Sequence, residues 1–221
     1  MFNAKERKQE RLANCTGAEL SVKSYNLLIG LVLLYGFFIN AVIVKFATPL
    51  FAEMNPWTLL IGYFISCLIG ALIVNISHSP IISFLGYNLI VVPLGAVLSL
   101  SLPSFPAEKI IAAAVITGTV TFLMMLLSIS FPNFFSKLGL ALFLSLLIGV
   151  IVEFIAMLLG YGGSMFDWFF VVIFSLYIGY DWNRAQQYYK SADNAVDSAV
   201  DLYLDIINVF LRILSLIGRK D

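Results

Sequence analysis

The chain has 221 residues, of which 61% are hydrophobic and only 12% are charged, and its formal net charge is zero. Soluble domains carry about 25% charged residues, so this composition indicates an integral membrane protein and excludes an ordinary soluble one. The balanced charge gives no reason to expect a nucleic-acid partner. The two cysteines do not form a disulfide framework of the kind found in small secreted proteins.

Residues 1–25 form a polar N-terminal tail, and residues 26–221 are expected to form a single transmembrane domain. The tail holds a cluster of basic residues: Lys5, Arg7, Lys8, Arg11 and Lys23. Because Lys and Arg near transmembrane segments concentrate on the cytoplasmic side, we expect the N-terminus to be cytoplasmic.

Seven apolar runs follow the tail, and a transmembrane helix needs about 20 apolar residues. Proline, glycine or asparagine punctuates most of the short links between them, which predicts antiparallel neighbours. The fold class predicted is all-α integral membrane, with seven transmembrane helices. The basic Arg219 and Lys220 would then lie outside, and a seventh segment that re-enters rather than crosses would remove this conflict. The runs are roughly Leu27–Phe46, Trp57–Ile76, Ile81–Leu102, Ile110–Ser130, Leu138–Leu159, Phe166–Trp182 and Val196–Ile217.

Two aspartates flank the link between the last two runs. Asp181 ends the sixth run, Asp205 lies in the seventh, and each is twelve residues from Asp193 in the middle of the link. An ionisable group in a membrane segment is costly, so by default it marks a functional site. In an antiparallel hairpin the two carboxylates would lie at the same depth, where they could share a proton or hold a cation. The alternative for Asp181 is an interfacial ion pair with Arg184 that has no function.

The seventh run also carries a polar face, which points either into a helix bundle or onto the membrane surface. Because a lipid-exposed aspartate is costly, the polar face should point into a bundle or a water-filled cavity, where it would mark a functional site. An amphipathic helix lying on the membrane would suit the first two residues of the face better than the later ones. The face consists of Asp197, Asp201, Asp205, Asn208 and Arg212, at helical spacing.

Two further residues are candidates for an ion path or for support of the aspartates. Glu153 lies in the middle of the fifth run, where it either stays protonated and bonds a neighbouring helix or belongs to an ion path. His78 flanks Pro80 at a predicted inner boundary. With one histidine and two distant cysteines, the chain offers no zinc site of the ordinary ligand type.

Two stretches near the C-terminus resemble the Bax inhibitor-1 family, also called the transmembrane Bax-inhibitor-motif family, in its bacterial type. The first runs from Leu176 through Gly179-Tyr180-Asp181, and the second is Leu202-Tyr203-Leu204-Asp205-Ile206-Ile207-Asn208. The stretch Phe84-Leu85-Gly86-Tyr87 is a weaker match. The resemblance covers most of the chain in layout, and its specific residues lie near the end.

This resemblance implies three helix hairpins around a central seventh helix and a pH-sensitive calcium leak in a bacterial cell membrane. It assigns the positions of Asp181 and Asp205 to a proton-sensing pair that controls the pore. Bacterial relatives can carry an arginine at the inner end of the second helix that latches to the pair. Here Asn75 to Ser79 contain no arginine, so the pH range of gating is left open. His78 is the candidate substitute.

The chemistry of the pair couples protons to cations. Two close carboxylates in a poorly hydrated site cannot both ionise cheaply, so they titrate as a unit. With one proton they share a hydrogen bond that ties the two helices together. Fully ionised, they repel each other or bind a hard cation such as Ca²⁺ through oxygen ligands, to which Asn208 could add a carbonyl. We expect Ca²⁺ as the transported or bound ion and no other cofactor.

Two other function classes compete with the leak. A non-conducting regulatory protein would act on membrane-protein partners in stress or cell death. An intramembrane aspartyl protease of the presenilin type would need Gly-x-Gly-Asp around its second aspartate, whereas Leu202-Tyr203-Leu204 precedes Asp205. We therefore expect no enzyme activity.

Overall fold

The computed structural model describes residues 18–161 and 164–218. Within those ranges the chain forms nine α-helices, one short 3₁₀ segment at Leu102–Ser104, and no strand. In chain order the helices are α1 (Val22–Phe46), α2 (Thr48–Ala52), α3 (Pro56–Ile76), α4 (Pro80–Ser101), α5 (Ala107–Ser130), α6 (Pro132–Phe135), α7 (Gly139–Leu158), α8 (Ser164–Gln187) and α9 (Ala192–Gly218).

Six helices in the described part of the chain are long and apolar enough to cross a membrane, namely α1, α3, α4, α5, α7 and α8. They coincide with the first six predicted runs, which confirms an all-α membrane protein. The seventh run is helical in α9, but its charged residues keep it out of this set. The count of seven crossings and the arrangement of three hairpins around a seventh helix remain predictions.

Local signals set the helix ends. The Ser21 side chain accepts a hydrogen bond from the Ser24 amide at 3.1 Å, so α1 begins at Val22, ahead of the predicted start. At the end of α7, the backbone amide of Tyr161 donates to the Ala156 carbonyl, and the backbone amide of Gly160 donates to the Met157 carbonyl. Gly160 has a φ of 78°, a left-handed conformation that glycine adopts without strain.

The last link is shorter than the sequence indicated. The polar stretch from residue 183 to 195 was expected to be a long loop, but α8 continues to Gln187 and α9 starts at Ala192. Ser191 explains the early start of α9, because its side chain accepts from the Asn194 amide at 3.2 Å. The expectation of a long link was wrong, since polar residues here extend the helices.

The described residues divide into two compact units. The first unit contains residues 18–104 and 187–200. In it α3 and α4 run antiparallel and touch at Gly70 and Gly86, and Ser66 Oγ donates to the Leu89 carbonyl at 2.6 Å. Helix α1 packs on α4, where the Tyr87 hydroxyl donates to the Val32 carbonyl at 3.2 Å.

The second unit contains residues 105–186 and 201–218, apart from the two undescribed residues 162 and 163. Its helices α7 and α8 are antiparallel, because Gly139 lies against Tyr180 and Gly149 lies against Phe169. These close contacts at glycine match the small-residue packing of membrane helices.

Helix α9 is more buried than the apolar helices α3, α5 and α7. Every residue of α9 is buried or half-buried, so its polar face avoids the exposed surface. The apolar residues of α3, α5 and α7 are largely exposed, with Leu140 and Met157 among the clearest cases. Exposed apolar surface of this extent on helices of membrane length implies a bilayer environment.

Candidate functional site

Asp181 of α8 and Asp205 of α9 form the centre of the candidate site. The structure brings their carboxyl groups within hydrogen-bonding reach of each other. Both residues are buried, with 9% of Asp181 and 7% of Asp205 exposed. Helices α8 and α9 run antiparallel, and nearer their other end Ser215 Oγ donates to Asp167 Oδ2 at 2.9 Å. The site is therefore a carboxyl pair between two helices.

The surroundings of this pair carry further charge. Arg184 Nη1 donates to Asp181 Oδ1 at 2.8 Å, and the guanidinium lies 5.2 Å from the centre of the Tyr180 ring. Asp201 lies one helical turn before Asp205 and acts electrostatically on both members of the pair. Asp201 and Arg184 thus bring charges of opposite sign to the surroundings of the pair.

One oxygen of the pair has no partner among the described residues. Asp205 Oδ2 is buried and accepts no hydrogen bond from that part of the chain. A buried carboxylate oxygen in this state is costly when ionised, and a proton or a cation on the pair lowers that cost. The arrangement therefore favours holding a positive species at Asp205.

The polar face predicted for the seventh run divides along α9. Asp197 is fully buried and belongs to the first unit, whereas Asp201, Asp205 and Asn208 belong to the second. The Asn208 side-chain amide donates to the Leu204 carbonyl of its own helix at 2.7 Å. Since the whole helix is buried or half-buried, the structure favours the interior alternative over a helix lying on the surface.

Glu153 is not isolated, because it forms an ion pair with Arg212. The Arg212 guanidinium donates through Nη2 to Glu153 Oε2 at 2.8 Å and through Nη1 to Glu153 Oε1. The same Nη1 donates to Asp167 Oδ1 at 3.1 Å, and Ser215 donates to Asp167 Oδ2 at 2.9 Å. Side chains of α7, α8 and α9 thus meet in a second charged cluster, which we call the Arg212 cluster.

The Arg212 cluster was not predicted from the sequence, although the positions of two of its residues indicate it. Asp167 lies near the start of α8 and Arg212 lies near the end of α9, so an antiparallel pair of helices brings them to the same level. Arg212 also lies 4.3 Å from the centre of the Phe170 ring, which adds a cation–π contact.

A third polar cluster lies in the first unit, and it too was missed. Ser83 donates to Asp193 Oδ1 at 2.7 Å, and the Tyr25 hydroxyl lies 3.0 Å from Ser198 Oγ. Lys190, in the link before α9, lies 4.6 Å from the centre of the Tyr25 ring. Burial lowers the pKa of Lys190 below its usual value.

His78 lies in the first unit, in the link between α3 and α4. It lines an open and mostly apolar groove together with Ile69, Ile76 and Ile82. Among the residues that the structure describes, no three His, Cys, Asp or Glu side chains converge into a metal site. Arg184 supplies positive charge that acts on the aspartate pair.

The profile of the family described as "Inhibitor of apoptosis-promoting Bax1" matches residues 19–221 of this chain. The chain belongs to the Bax inhibitor family. The matched range includes all nine helices of the described residues and both members of the aspartate pair.

One of the relatives carries the name of this family, and two others match a shorter part of the chain. "Bax inhibitor 1" of Schizosaccharomyces pombe is 27% identical over 176 residues, which cover 78% of this chain and 65% of the yeast protein. An "Uncharacterized protein" of Helicobacter pylori strain 26695 is 37% identical over 106 residues, covering 45% of this chain and 44% of the relative. A protein of Helicobacter pylori strain J99 matches to the same extent. The match with this Bax inhibitor chain spans under half the length of the Helicobacter relatives.

Proposed function

We propose that this Bax inhibitor family member is a pH-sensitive calcium leak of a bacterial cell membrane, with a cytoplasmic N-terminus. The observation that carries the proposal is the contact between two buried carboxyl groups, Asp181 and Asp205, on neighbouring helices. Buried carboxyl pairs couple proton binding to cation binding, which is the property that such a leak requires.

The mechanism follows from the charge of the pair. With one proton, the two groups share a hydrogen bond that holds α8 against α9. When the proton leaves, two negative charges in a poorly hydrated place either repel each other or bind Ca²⁺ through oxygen. Protons and Ca²⁺ compete for the same oxygens, so Ca²⁺ binding should weaken as the pH falls.

Other residues support this site in the proposal. Asp201 adds negative charge beside the pair, and Asn208 lies one turn further along α9 with a carbonyl oxygen as a further ligand. Glu153, in the Arg212 cluster, is proposed to belong to the ion path. His78 remains a candidate for the latch that the second predicted helix lacks.

The test is Ca²⁺ flux in liposomes that contain the purified protein. We expect a leak that changes between about pH 6 and pH 8, and Asp205→Asn should remove most of this pH dependence because one carboxyl alone does not share a proton. The matched control is Glu108→Gln, which neutralises an exposed acidic residue of the same unit and should leave the pH profile intact.

The outcomes separate the function classes. A pH-dependent leak that survives Asp205→Asn unchanged would contradict the role of the pair. A complete absence of flux at every pH, from protein that is folded and inserted, would favour the alternative of a non-conducting protein that acts through membrane-protein partners.

A further inference from the structure

We propose that three residues of α5, which we call the hydroxyl face, line the ion path of the second unit and become hydrated when the path opens. The hydroxyl face consists of Thr117, Thr121 and Ser128. The inference rests on the proposed function, because it assigns the path that a leaked cation takes. Helix α5 supplies neither aspartate of the pair.

The hydroxyl face is the buried side of a helix that is otherwise largely exposed. Thr117 and Ser128 are buried together with Ala113, and Thr121 is half-buried. Thr117, Thr121 and Ser128 are spaced by four and seven residues, so they share one side of the helix. Most of the large apolar side chains of α5 are exposed on its other sides. The buried part of this helix therefore carries three hydroxyl groups.

The hydroxyl groups of Thr117 and Thr121 have no hydrogen-bond partner among the described residues, and both oxygens are buried. The Thr117 residue is only 3% exposed. A threonine in a helix ordinarily satisfies its hydroxyl by donating to the carbonyl four residues back. Thr119 does so on the opposite side of α5, with the Val115 carbonyl at 2.9 Å. Because a buried hydroxyl without a partner costs free energy, the two buried threonines require a reason.

A path that opens to water supplies that reason. In this structure, neighbouring atoms shield the oxygens of Thr117 and Thr121 from solvent. Water that enters along the hydroxyl face restores their hydrogen bonds, since each hydroxyl offers one donor and two acceptor sites. The unsatisfied hydroxyls therefore favour the open path over the closed packing. Hydroxyl oxygens on a pore wall also suit a hard, hydrated cation such as Ca²⁺.

The C-terminal end of the hydroxyl face packs on α8. Asn183 Nδ2 donates to the Ser128 carbonyl at 3.5 Å, and Asn183 is buried. Asn183 lies two residues after Asp181, so this end of the face reaches the level of the aspartate pair. Thr121 and Thr117 lie about 10.5 and 16.5 Å further along the axis of α5, at about 1.5 Å per residue. The hydroxyl groups thus extend along the second unit from the level of the pair.

The competing explanation is that both threonines only fill space. A valine of the same shape would then serve as well or better, because it carries no polar atom that needs a partner. On that explanation neither position ever meets water, and neither affects ion flux. Water access and flux therefore separate the two explanations.

The first experiment measures water access with single cysteines in protein reconstituted into liposomes. Cys15→Ser and Cys67→Ala remove the native thiols, and Thr117→Cys, Thr121→Cys and Thr119→Cys are then made one at a time. A charged, membrane-impermeant methanethiosulfonate needs a thiol that water reaches and that ionises. We expect Thr117→Cys and Thr121→Cys to react about tenfold faster than the matched control Thr119→Cys, compared at the same pH.

The second experiment removes the hydroxyl groups. The double variant Thr117→Val with Thr121→Val should melt at a higher temperature, because two unsatisfied polar groups are gone from the closed packing. It should also leak Ca²⁺ about tenfold more slowly, because its open path offers water and the cation fewer polar partners. Thr119→Val is the matched control on the opposite side of α5, and it should leave the leak unchanged.

Reaction rates of Thr117→Cys and Thr121→Cys no faster than that of Thr119→Cys, in protein whose thermal melt shows a folded state, would overturn the proposal. A valine double variant that leaks Ca²⁺ as fast as the unmodified protein would overturn it as well. Fast reaction at both buried positions in protein that leaks no Ca²⁺ would support hydration of the face and contradict the calcium leak.

Discussion

Arg212 connects three helices of the second unit through charge. It pairs with Glu153 of α7 and Asp167 of α8, and Asp167 is 4% exposed. A buried carboxylate that loses its cation is strongly destabilising, whereas a partly exposed pair contributes little. The two carboxylates should therefore respond differently when the cluster is changed.

Arg212→Gln should lower the free energy of unfolding by about 2–3 kcal/mol, because the buried Asp167 carboxylate loses the guanidinium that donates to it. Glu153→Gln should cost about 1 kcal/mol or less, since Glu153 is half-exposed and Arg212 keeps Asp167. Thermal unfolding in detergent, with Glu108→Gln as the exposed control, measures the difference. Equal losses for both variants would show that Asp167 does not depend on Arg212.

The residue types alone predicted part of the candidate site. Asp181 and Asp205 were found because a carboxyl group in an apolar run is conspicuous. Ser83 and Asp193 were missed, because a serine in α4 and an aspartate at the start of α9 meet only through the fold of the first unit, where they lie 2.7 Å apart. The ion pair between Asp181 and Arg184 was one of the alternatives that the sequence offered, and the structure contains it at 2.8 Å.

The α3–α4 hairpin depends on a backbone contact between helices. A side-chain carbon on Gly70 would lie 2.6 Å from the Gly86 carbonyl oxygen, and one on Gly86 would lie 2.9 Å from the Gly70 carbonyl oxygen. Backbone atoms cannot move aside as a flexible side chain does. Gly62, two turns earlier on α3, has open space where a side-chain carbon would lie.

Gly70→Ala should therefore destabilise the protein by about 1–3 kcal/mol, because the added methyl forces the two helices apart. Gly62→Ala is the matched control in the same helix, and it should be neutral or stabilising by up to about 1 kcal/mol through helix propensity. Melting temperatures of the two variants give the comparison. A Gly70→Ala protein as stable as Gly62→Ala would mean that the contact is looser than the structure indicates.

Apolar runs predicted the helices well and their ends less well. The six membrane-length helices follow the apolar runs closely, since lipid and core both select apolar residues. The polar residues before and after the link 188–191 are helical nevertheless, because Ser191 caps α9 and Arg184, Ala185, Gln186 and Gln187 are good helix formers. Polarity marks the end of a membrane segment but not the end of a helix.

Helix α9 decides the number of membrane crossings. Helix α9 has 27 residues and is about 40 Å long, enough to cross a bilayer, although its charges exclude it from the apolar set. A helix with charged residues can still cross the membrane when protein covers its polar side chains, and α9 is buried in this way. Arg219 and Lys220, which argued against a seventh crossing, lie outside the described residues.

Reporter fusions test the crossing directly. A reporter in the link 188–191 should be cytoplasmic, because six helices that can cross a membrane follow an N-terminal tail whose five basic residues predict a cytoplasmic location. A second reporter after Asp221 should lie on the opposite side if α9 crosses. Both reporters in the cytoplasm would show a re-entrant α9, and an external link reporter would contradict the six crossings themselves.

Position 139 has a consequence for how the protein can vary. Gly139 touches neither carboxyl group of the pair, yet its missing side chain leaves room for the Tyr180 ring on which Arg184 lies. A side-chain carbon at position 139 would collide with the Tyr180 hydroxyl, so the ring must shift to admit an alanine. A lineage can therefore replace Gly139 only together with a change at Tyr180, so substitutions at these two positions should be inherited together.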